Sequence, residues 1–318
     1  MKRLIYLISA GIMLASFAAC TNSKEIQVAS NVTLEIDTRP VIGAFTAWSM
    51  GGLDMYEGAT LKVSCYIYDS EGDFVMKGTG NLDDYSKTSW EIEGLPYGVY
   101  QIVCVSYAVD DESEAYSIDE ASDLDNLEIK QNYYQSFYTS WSCLGLSYDV
   151  VTVGTEPTVN ISLAPACSYV KLHYSKMTSI SDLAVDGVKF WMKNNVNVTF
   201  EDSSVSYSHN LAESTYYTTS ASMPSGDYTG VYEALFLLPT DSMQYYATYT
   251  FGGESYDDGF GEGSCSIEAG RQYEIVIDCQ NKSISVDSVT KGTTDSSLAP
   301  SFKNRDGSLN VSEYFNLK

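Results

Sequence analysis

The residues able to do chemistry are few and scattered. There are two histidines, His173 and His209. His173 shares strand parity with Tyr169 and Lys171, which turns it outward, and His209 lies in the polar run Ser208-His209-Asn210. A serine–histidine–aspartate site needs a buried, oriented base, and no G-x-S-x-G elbow is present. Two separated histidines also make a poor metal site. Aspartate and glutamate total 42, but nothing marks a pair for glycoside hydrolysis, and solvated faces absorb most such residues. Asp69-Ser70-Glu71-Gly72-Asp73 and Glu254-Ser255-Tyr256-Asp257-Asp258-Gly259 could offer oxygens to calcium, yet neither has the closing glutamate of an EF-hand loop. The expectation is a protein with no catalytic residue, no metal and no cofactor.

Cysteine is the more informative type. Of the seven, Cys20 ends an N-terminal segment with a short basic start (Lys2, Arg3) and an apolar run from Leu4 to Ala19. That run is short for a membrane span and has the anatomy of a signal peptide. Phe17-Ala18-Ala19-Cys20 resembles the lipobox of bacterial lipoproteins, with Phe17 where leucine is more usual. The resemblance implies that residues 1–19 are removed and that Cys20 is acylated and becomes the first mature residue. An acyl chain contributes about 0.8 kcal/mol per buried CH₂, so two or three chains hold firmly where one does not. An outer-membrane lipid anchor, surface exposure and a polar tether over 20–30 follow as expectations. The remaining six are Cys65, Cys104, Cys143, Cys167, Cys265 and Cys279. An even number in an oxidising compartment permits disulfides. Several lie inside apolar runs, where cysteine packs as a small hydrophobe, so the expectation is mostly buried thiols.

The elements that would carry these residues read as strands. Val32, Leu34 and Ile36 alternate with polar neighbours, and so do Leu61, Val63, Cys65 and Ile67. The turn at Asp69–Asp73 joins the second run to Phe74-Val75-Met76 as a hairpin. Further strands are expected around Trp90 and Ile92, over Val99–Tyr107 as a central strand, over Tyr148–Val153 and over Val159–Leu163. The acidic stretch from Asp110 to Asp125 reads as a loop with a short helix near Ala121–Leu127. In the second half, strands are expected at Tyr169–Tyr174, Val185–Met192, Val196–Phe200, Tyr232–Leu238, Tyr245–Phe251, Ser264–Glu268, Tyr273–Cys279 and Ile284–Val289, with a tight turn at Ala269-Gly270-Arg271. Such spacing belongs to sandwiches and barrels. The expected organisation is all-β: a signal peptide (1–19), a tether (20–30), two β-sandwich domains (31–165 and 166–290) and a flexible tail (291–318). Tyr100-Gln101-Ile102-Val103 and Tyr273-Glu274-Ile275-Val276 form a faint echo that ordinary strand composition could also produce.

The formal charge of −24 becomes −26 once Lys2 and Arg3 are removed. Such acidity argues against nucleic acid and anionic headgroups as partners. The chain also has 26 tyrosines. Tyr133, Tyr134, Phe137, Tyr138 and Trp141 form one cluster, and Tyr245, Tyr246 and Tyr249 another. Exposed rings could stack on a glycan, although half-buried strands use tyrosine freely.

Tyr68-Asp69-Ser70-Glu71-Gly72, followed by Leu95-Pro96-Tyr97-Gly98-Val99-Tyr100, resembles the first, transthyretin-like domain of Bacteroidales fimbrillins and their anchor subunits, the FimB/Mfa2 family. Leu235–Pro239 and Ile267–Tyr273 are similar to that group's second domain. The resemblance implies two tandem transthyretin-like sandwiches and a surface role in filament assembly through β-strand addition to fimbrial subunits. A glycan-binding surface lipoprotein is the alternative. In that family the polymerising subunits are clipped after an arginine near the first strand. The matching position is Arg39, but Pro40 follows it, and trypsin-like proteases cut Arg-Pro bonds poorly. This departure favours an uncut anchor, although a cut at Lys24 stays open. Asp241-Ser242-Met243 and Asp287-Ser288-Val289 resemble the O-glycosylation pattern of Bacteroidales exported proteins, which implies Ser242 and Ser288 as modified residues.

Overall fold

The computed structural model describes residues 31–289 apart from 44–59, 110–113, 133–142, 155–157, 176–186, 194–195, 202–203, 210–215, 223–229, 252–253, 257–261 and 279–280. Strands in the first half are β1 (Asn31–Asp37), β2 (Thr60–Asp69), β3 (Phe74–Leu82), β4 (Lys87–Glu93), β5 (Gly98–Val109), β6 (Tyr116–Asp119), β7 (Glu128–Gln131), β8 (Gly145–Val153), β9 (Thr158–Ser162) and β10 (Ala164–Pro165). A short helix, α1 (Arg39–Gly43), follows β1. The second half contributes β11 (Ser168–Ser175), β12 (Gly187–Lys193), β13 (Val196–Glu201), β14 (Ser204–His209), β15 (Tyr216–Ser222), β16 (Gly230–Leu237), β17 (Thr240–Phe251), β18 (Glu254–Tyr256), β19 (Glu262–Ile267), β20 (Gln272–Asp278) and β21 (Ser283–Val289). The protein is an all-β sandwich, as the alternation of its apolar residues requires.

Two sheets build the first half. One has the order β4-β1-β9 and the other β10-β8-β5-β2-β3. Leu34, Trp90 and Ile92 from the first sheet meet Cys65, Ile67 and Met76 from the second around a small shared cavity. Successive strand residues point to opposite faces, so Tyr66 and Tyr68 project away from this interface. They are buried as deeply as Cys65 and Ile67, so β2 is covered on both faces. The second cover is the sheet β14-β13-β7-β6. Tyr107 of β5 meets Tyr116 of β6 edge to face at 5.8 Å, and Tyr148 of β8 meets Phe200 of β13 at 6.1 Å.

The same connections recur in the second half. There, β11 lies between antiparallel β16 and parallel β20, as β1 lies between antiparallel β4 and parallel β9. β12 is flanked by β15 and β17, as β2 is by β3 and β5, and β19 pairs with β17 as β8 pairs with β5. The sequence echo does not mark this repetition, because Tyr100 lies in β5 and Tyr273 in β20, which are not counterparts. Each tyrosine instead secures the turn before it. The Tyr100 hydroxyl donates to Pro96 O at 2.9 Å, and Glu268 N donates to the Tyr273 hydroxyl at 2.9 Å. The echo is therefore shared strand chemistry.

Two insertions join the halves. β6–β7 interrupts the first set of connections and β13–β14 the second. They pair with each other through β7 and β13, with Lys130 opposite Asn197 and Ile129 opposite Val198. Val196, Val198 and Phe200 thereby enter the same hydrophobic cluster as β1, β2 and β5. A sheet thus crosses the expected boundary at residue 165.

The acidic stretch departs from expectation in one respect. It contains β6, whose residues pair with β7, while the helical turn expected near Ala121–Leu127 occurs as a 3-10 turn over Leu124–Asn126, capped by Asp123. β14 and β15 are also additional to the expected strands. β14 alternates Val205 and Tyr207 with serines over a short span, β15 shows little apolar alternation, and cross-strand partners define both. Cys65 and Cys104, directly opposite each other on β2 and β5, are joined as a disulfide. Cys143 and Cys167 are buried thiols, and Cys265 is a partly buried one.

Candidate functional site

The first strand and the residues that end it form the site of interest. Along β1 the side chains alternate, with Val32, Leu34 and Ile36 buried between exposed or half-buried neighbours. β-branched and aliphatic residues at every second position suit a strand with one buried face. Leu34 sits opposite Trp90 on β4 and Val159 on β9, and Ile36 sits opposite Thr88 and Ile161. β1 is therefore not an edge. Both of its hydrogen-bonding sides are occupied, and its withdrawal would open a slot between β4 and β9.

The C-terminal end of β1 is tied on both sides. Thr38 N donates to Ser86 O at 3.0 Å, the Thr38 hydroxyl donates to the same oxygen at 3.0 Å, and Ser86 N donates back to Thr38 Oγ1 at 2.9 Å. On the other side Leu163 N donates to Asp37 O at 3.0 Å. Thr38 is fully buried, so these bonds are shielded from water and a loss of either partner leaves an unpaired polar group.

Arg39 opens α1 from this fixed point. Its Nε donates to Asp37 Oδ1 at 2.8 Å and its Nη2 to Oδ2 at 2.7 Å, a two-pronged pairing. Its backbone N–H donates to Oδ1 at 3.1 Å, and Lys87 Nζ lies 3.6 Å from Oδ2. The Arg39 guanidinium beside Asp37 holds its carboxyl below the usual carboxylate range. Pro40 lies in the first turn of the helix, where its missing N–H costs nothing. Val41 N donates to Thr38 O at 3.2 Å, and Val41 and Ile42 are buried.

This arrangement bears on the Arg39–Pro40 bond. A protease must draw the chain around its target into an extended form and take the arginine side chain into an acidic pocket. Here Thr38 and Val41 are buried on either side, the backbone turns into a helix, and Asp37 already holds the arginine. Pro40 is the one part of this arrangement that the sequence expectation above rests on. The signals were present in Thr38-Arg39-Pro40, since threonine before a helix and proline in its first turn mark a helix start.

The other expected positions lie elsewhere. Cys20 is outside the described residues, as are Lys24 and the cluster of Tyr133, Tyr134, Phe137, Tyr138 and Trp141. Ser242 is exposed on β17, where the pairing with β19 shifts register between Thr240 and Met243. Ser288 falls in β21, and the side chains of Ser288, His173, His209 and Tyr249 are outside the described residues. Tyr245 stacks on Phe190 with centroids 6.3 Å apart, and its ring lies over Gly263, leaving no room for a Cβ there. That ring serves packing between β12, β17 and β19 rather than an open sugar platform. Asp69 of the calcium-like turn uses Oδ1 to accept from the backbone N–H of Glu71 and Asp73, at 2.9 and 3.0 Å. Its carboxylate thus shapes the hairpin.

The profile of the family described as fimbrillin-A associated anchor proteins Mfa1 and Mfa2 matches residues 28–250. No curated protein sequence matches the chain. Among solved structures, a candidate adhesin from Bacteroides thetaiotaomicron is similar with a TM-score of 0.52 at 11% identity, covering 81% of this chain and 96% of that one. The fimbrial anchor protein Mfa2 from Porphyromonas gingivalis gives 0.42 at 10% identity, over 80% and 95% of the two chains. A candidate polysaccharide-binding protein from Bacteroides thetaiotaomicron gives 0.48 at 15% identity, over 82% and 99%.

Proposed function

The chain belongs to the family of fimbrillin-A associated anchor proteins Mfa1 and Mfa2, and from that premise we propose that it is the uncut, lipid-tethered subunit that holds a surface filament to the outer membrane. Family membership carries a surface fimbrial or adhesin role and association with other fimbrial subunits. The finer reading is ours. Cys20 bears the lipid, residues 21–30 are the tether, and β1 is the first fixed element that a pull from the membrane meets. Two tandem transthyretin-like domains, meeting near Pro165, continue the path outward. The next subunit adds a strand to an open sheet edge of this chain. Ser242 and Ser288 carry O-linked glycans, and no catalytic step belongs to the role.

The observation that carries the reading is the state of β1. It is bonded on both sides, its three apolar residues are buried, and the bond that would release it, although Arg39 and Pro40 are exposed, is held in a helix start between buried Thr38 and Val41 with Asp37 on the arginine. Such fastening suits a subunit under tension from its N-terminus, and the helix start at Arg39–Pro40 disfavours the cut that would free the strand. The test is deletion of the gene in the producing cell, with filaments counted on washed cells and in the medium. Filaments shed into the medium are the expected result, restored to the cell by the wild-type chain and not by Cys20→Ala. Filaments retained at normal number on the deletion strain would overturn the reading.

A further inference from the structure

Two cysteines that carry free thiols occupy a position suited to a bond. β10 runs antiparallel to the start of β8, with Ala164 opposite Leu146 and Pro165 opposite Gly145. The ladder goes one step further, since Ala166 N donates to Leu144 O at 2.8 Å. The next residues in register are Cys167 and Cys143, and their sulfurs lie 3.8 Å apart. A pair adjacent to a hydrogen-bonded pair is the closely spaced kind, with Cα atoms about 4.5 Å apart, which is within the span of a disulfide. Cys65 and Cys104 are likewise directly opposite each other in an antiparallel pair, with Cα atoms 4.2 Å apart, and they are bonded.

The surroundings hold the two sulfurs together. Both cysteines are fully buried. Leu144 N donates to Cys167 Sγ at 3.3 Å, which fixes that sulfur beside its partner. Small rotations about the two Cα–Cβ bonds would bring the sulfurs from contact to bonding distance. No metal-binding group includes them among the described residues.

We propose that Cys143 and Cys167 form a second disulfide in the protein at the cell surface. The proposal rests on the surface location that family membership carries, because an exported chain crosses an oxidising compartment. The step is thiol–disulfide exchange with a disulfide-bearing oxidoreductase or small molecule. One cysteine thiolate attacks the oxidant's disulfide and releases one thiol. The second thiolate then attacks the mixed disulfide, closes the Cys143–Cys167 bond and releases the other thiol. Two electrons pass from the cysteine sulfurs to the oxidant, and the two thiol protons end on its reduced form. Burial pushes the Cys143 thiol up and keeps it protonated, so the exchange belongs to folding, before β8 and β10 close over the pair.

The bond would link the residue leading into β8 to the residue leading into β11. Everything between them, β8 through β10, would lie inside a covalent loop. A pull on the chain could then not draw out residues 144–166 while the bond held. The junction between the two halves would be stapled where the chain passes from one to the other.

The test is disulfide mapping of the full chain taken from the surface of producing cells. The protein is acid-quenched, unfolded in excess N-ethylmaleimide and digested without reductant by a protease that cuts at Asp149 or Glu156, which separates the two cysteines. The expected product is an unlabelled peptide pair linked through Cys143 and Cys167, alongside the pair linked through Cys65 and Cys104. If Cys65–Cys104 is linked and both Cys143 and Cys167 carry the label, the proposal is overturned. If neither pair is linked, the surface reading itself fails and the proposal falls with it. Linkage of Cys143 or Cys167 to Cys265 or Cys279 would also overturn it. As a second readout, Cys143→Ser with Cys167→Ser is expected to unfold at least about 5 °C below the unreduced wild type. Reduction should lower the wild type by a larger step than it lowers the variant, and equal steps would count against the bond.

Discussion

At the scale of single residues, Asp37 does more than its position suggests. It ends β1, pairs with Arg39 through both oxygens, and accepts the first backbone N–H of α1. Its folded carboxyl binds a proton less readily than the unfolded one, chiefly because of the Arg39 side-chain hydrogen bonds. The pair's contribution is therefore complete above the unfolded aspartate value of about 4, and is lost as pH falls through the lower folded value. Asp37→Asn should reduce the stability difference between about pH 6 and about pH 3 relative to wild type, measured by chemical denaturation at each pH. An unchanged difference would mean that the pairing is a surface contact of no consequence. Little of this was legible beforehand. Asp37-Thr38-Arg39-Pro40 is visible as a string, but the partners that make it a clasp, Ser86, Lys87 and Leu163, are distant in sequence.

At the scale of elements, β1 is the strand on which the proposed function turns. Alternation alone identified it, and the structure adds that it is central. Leu34 is the best probe, since it lines one small cavity with Trp90 and Ile92 of its own sheet and Cys65 and Ile67 of the facing sheet. Leu34→Ala removes buried volume where a small cavity already exists, and should cost about 2–5 kcal/mol in denaturant unfolding. A cost under about 1 kcal/mol, the range of surface changes, would show that β1 adds little to the sandwich. β2, β5 and β20 are legible for the same reason, having apolar residues in strong period-two or continuous runs. β6, β7, β14 and β15 are not, because short or serine-rich segments become strands only when a partner supplies the ladder.

At the scale of the whole molecule, the sheet made by β6–β7 and β13–β14 decides whether the two halves act singly or together. Val198 is fully buried in it, opposite Ile129. Val198→Asp would place an unpaired carboxylate there, at a cost that exceeds what the short ladder supplies. Calorimetry should show one main transition for wild type and two for the variant, and a variant that keeps one unshifted transition would mean the halves are coupled elsewhere. The sequence by itself determined the β class, the apolar face of each strong strand and the turns at Gly72 and Gly270, because these depend on local periodicity, backbone freedom and composition. Tertiary structure alone decided that β1 is bonded on both sides, that two insertions from different halves share a sheet, and that Cys65 meets Cys104 while Cys143 lies against Cys167. A strand's own residues state which face is buried, but its hydrogen bonds are made to other strands, and the choice among those partners belongs to the packing of the entire chain.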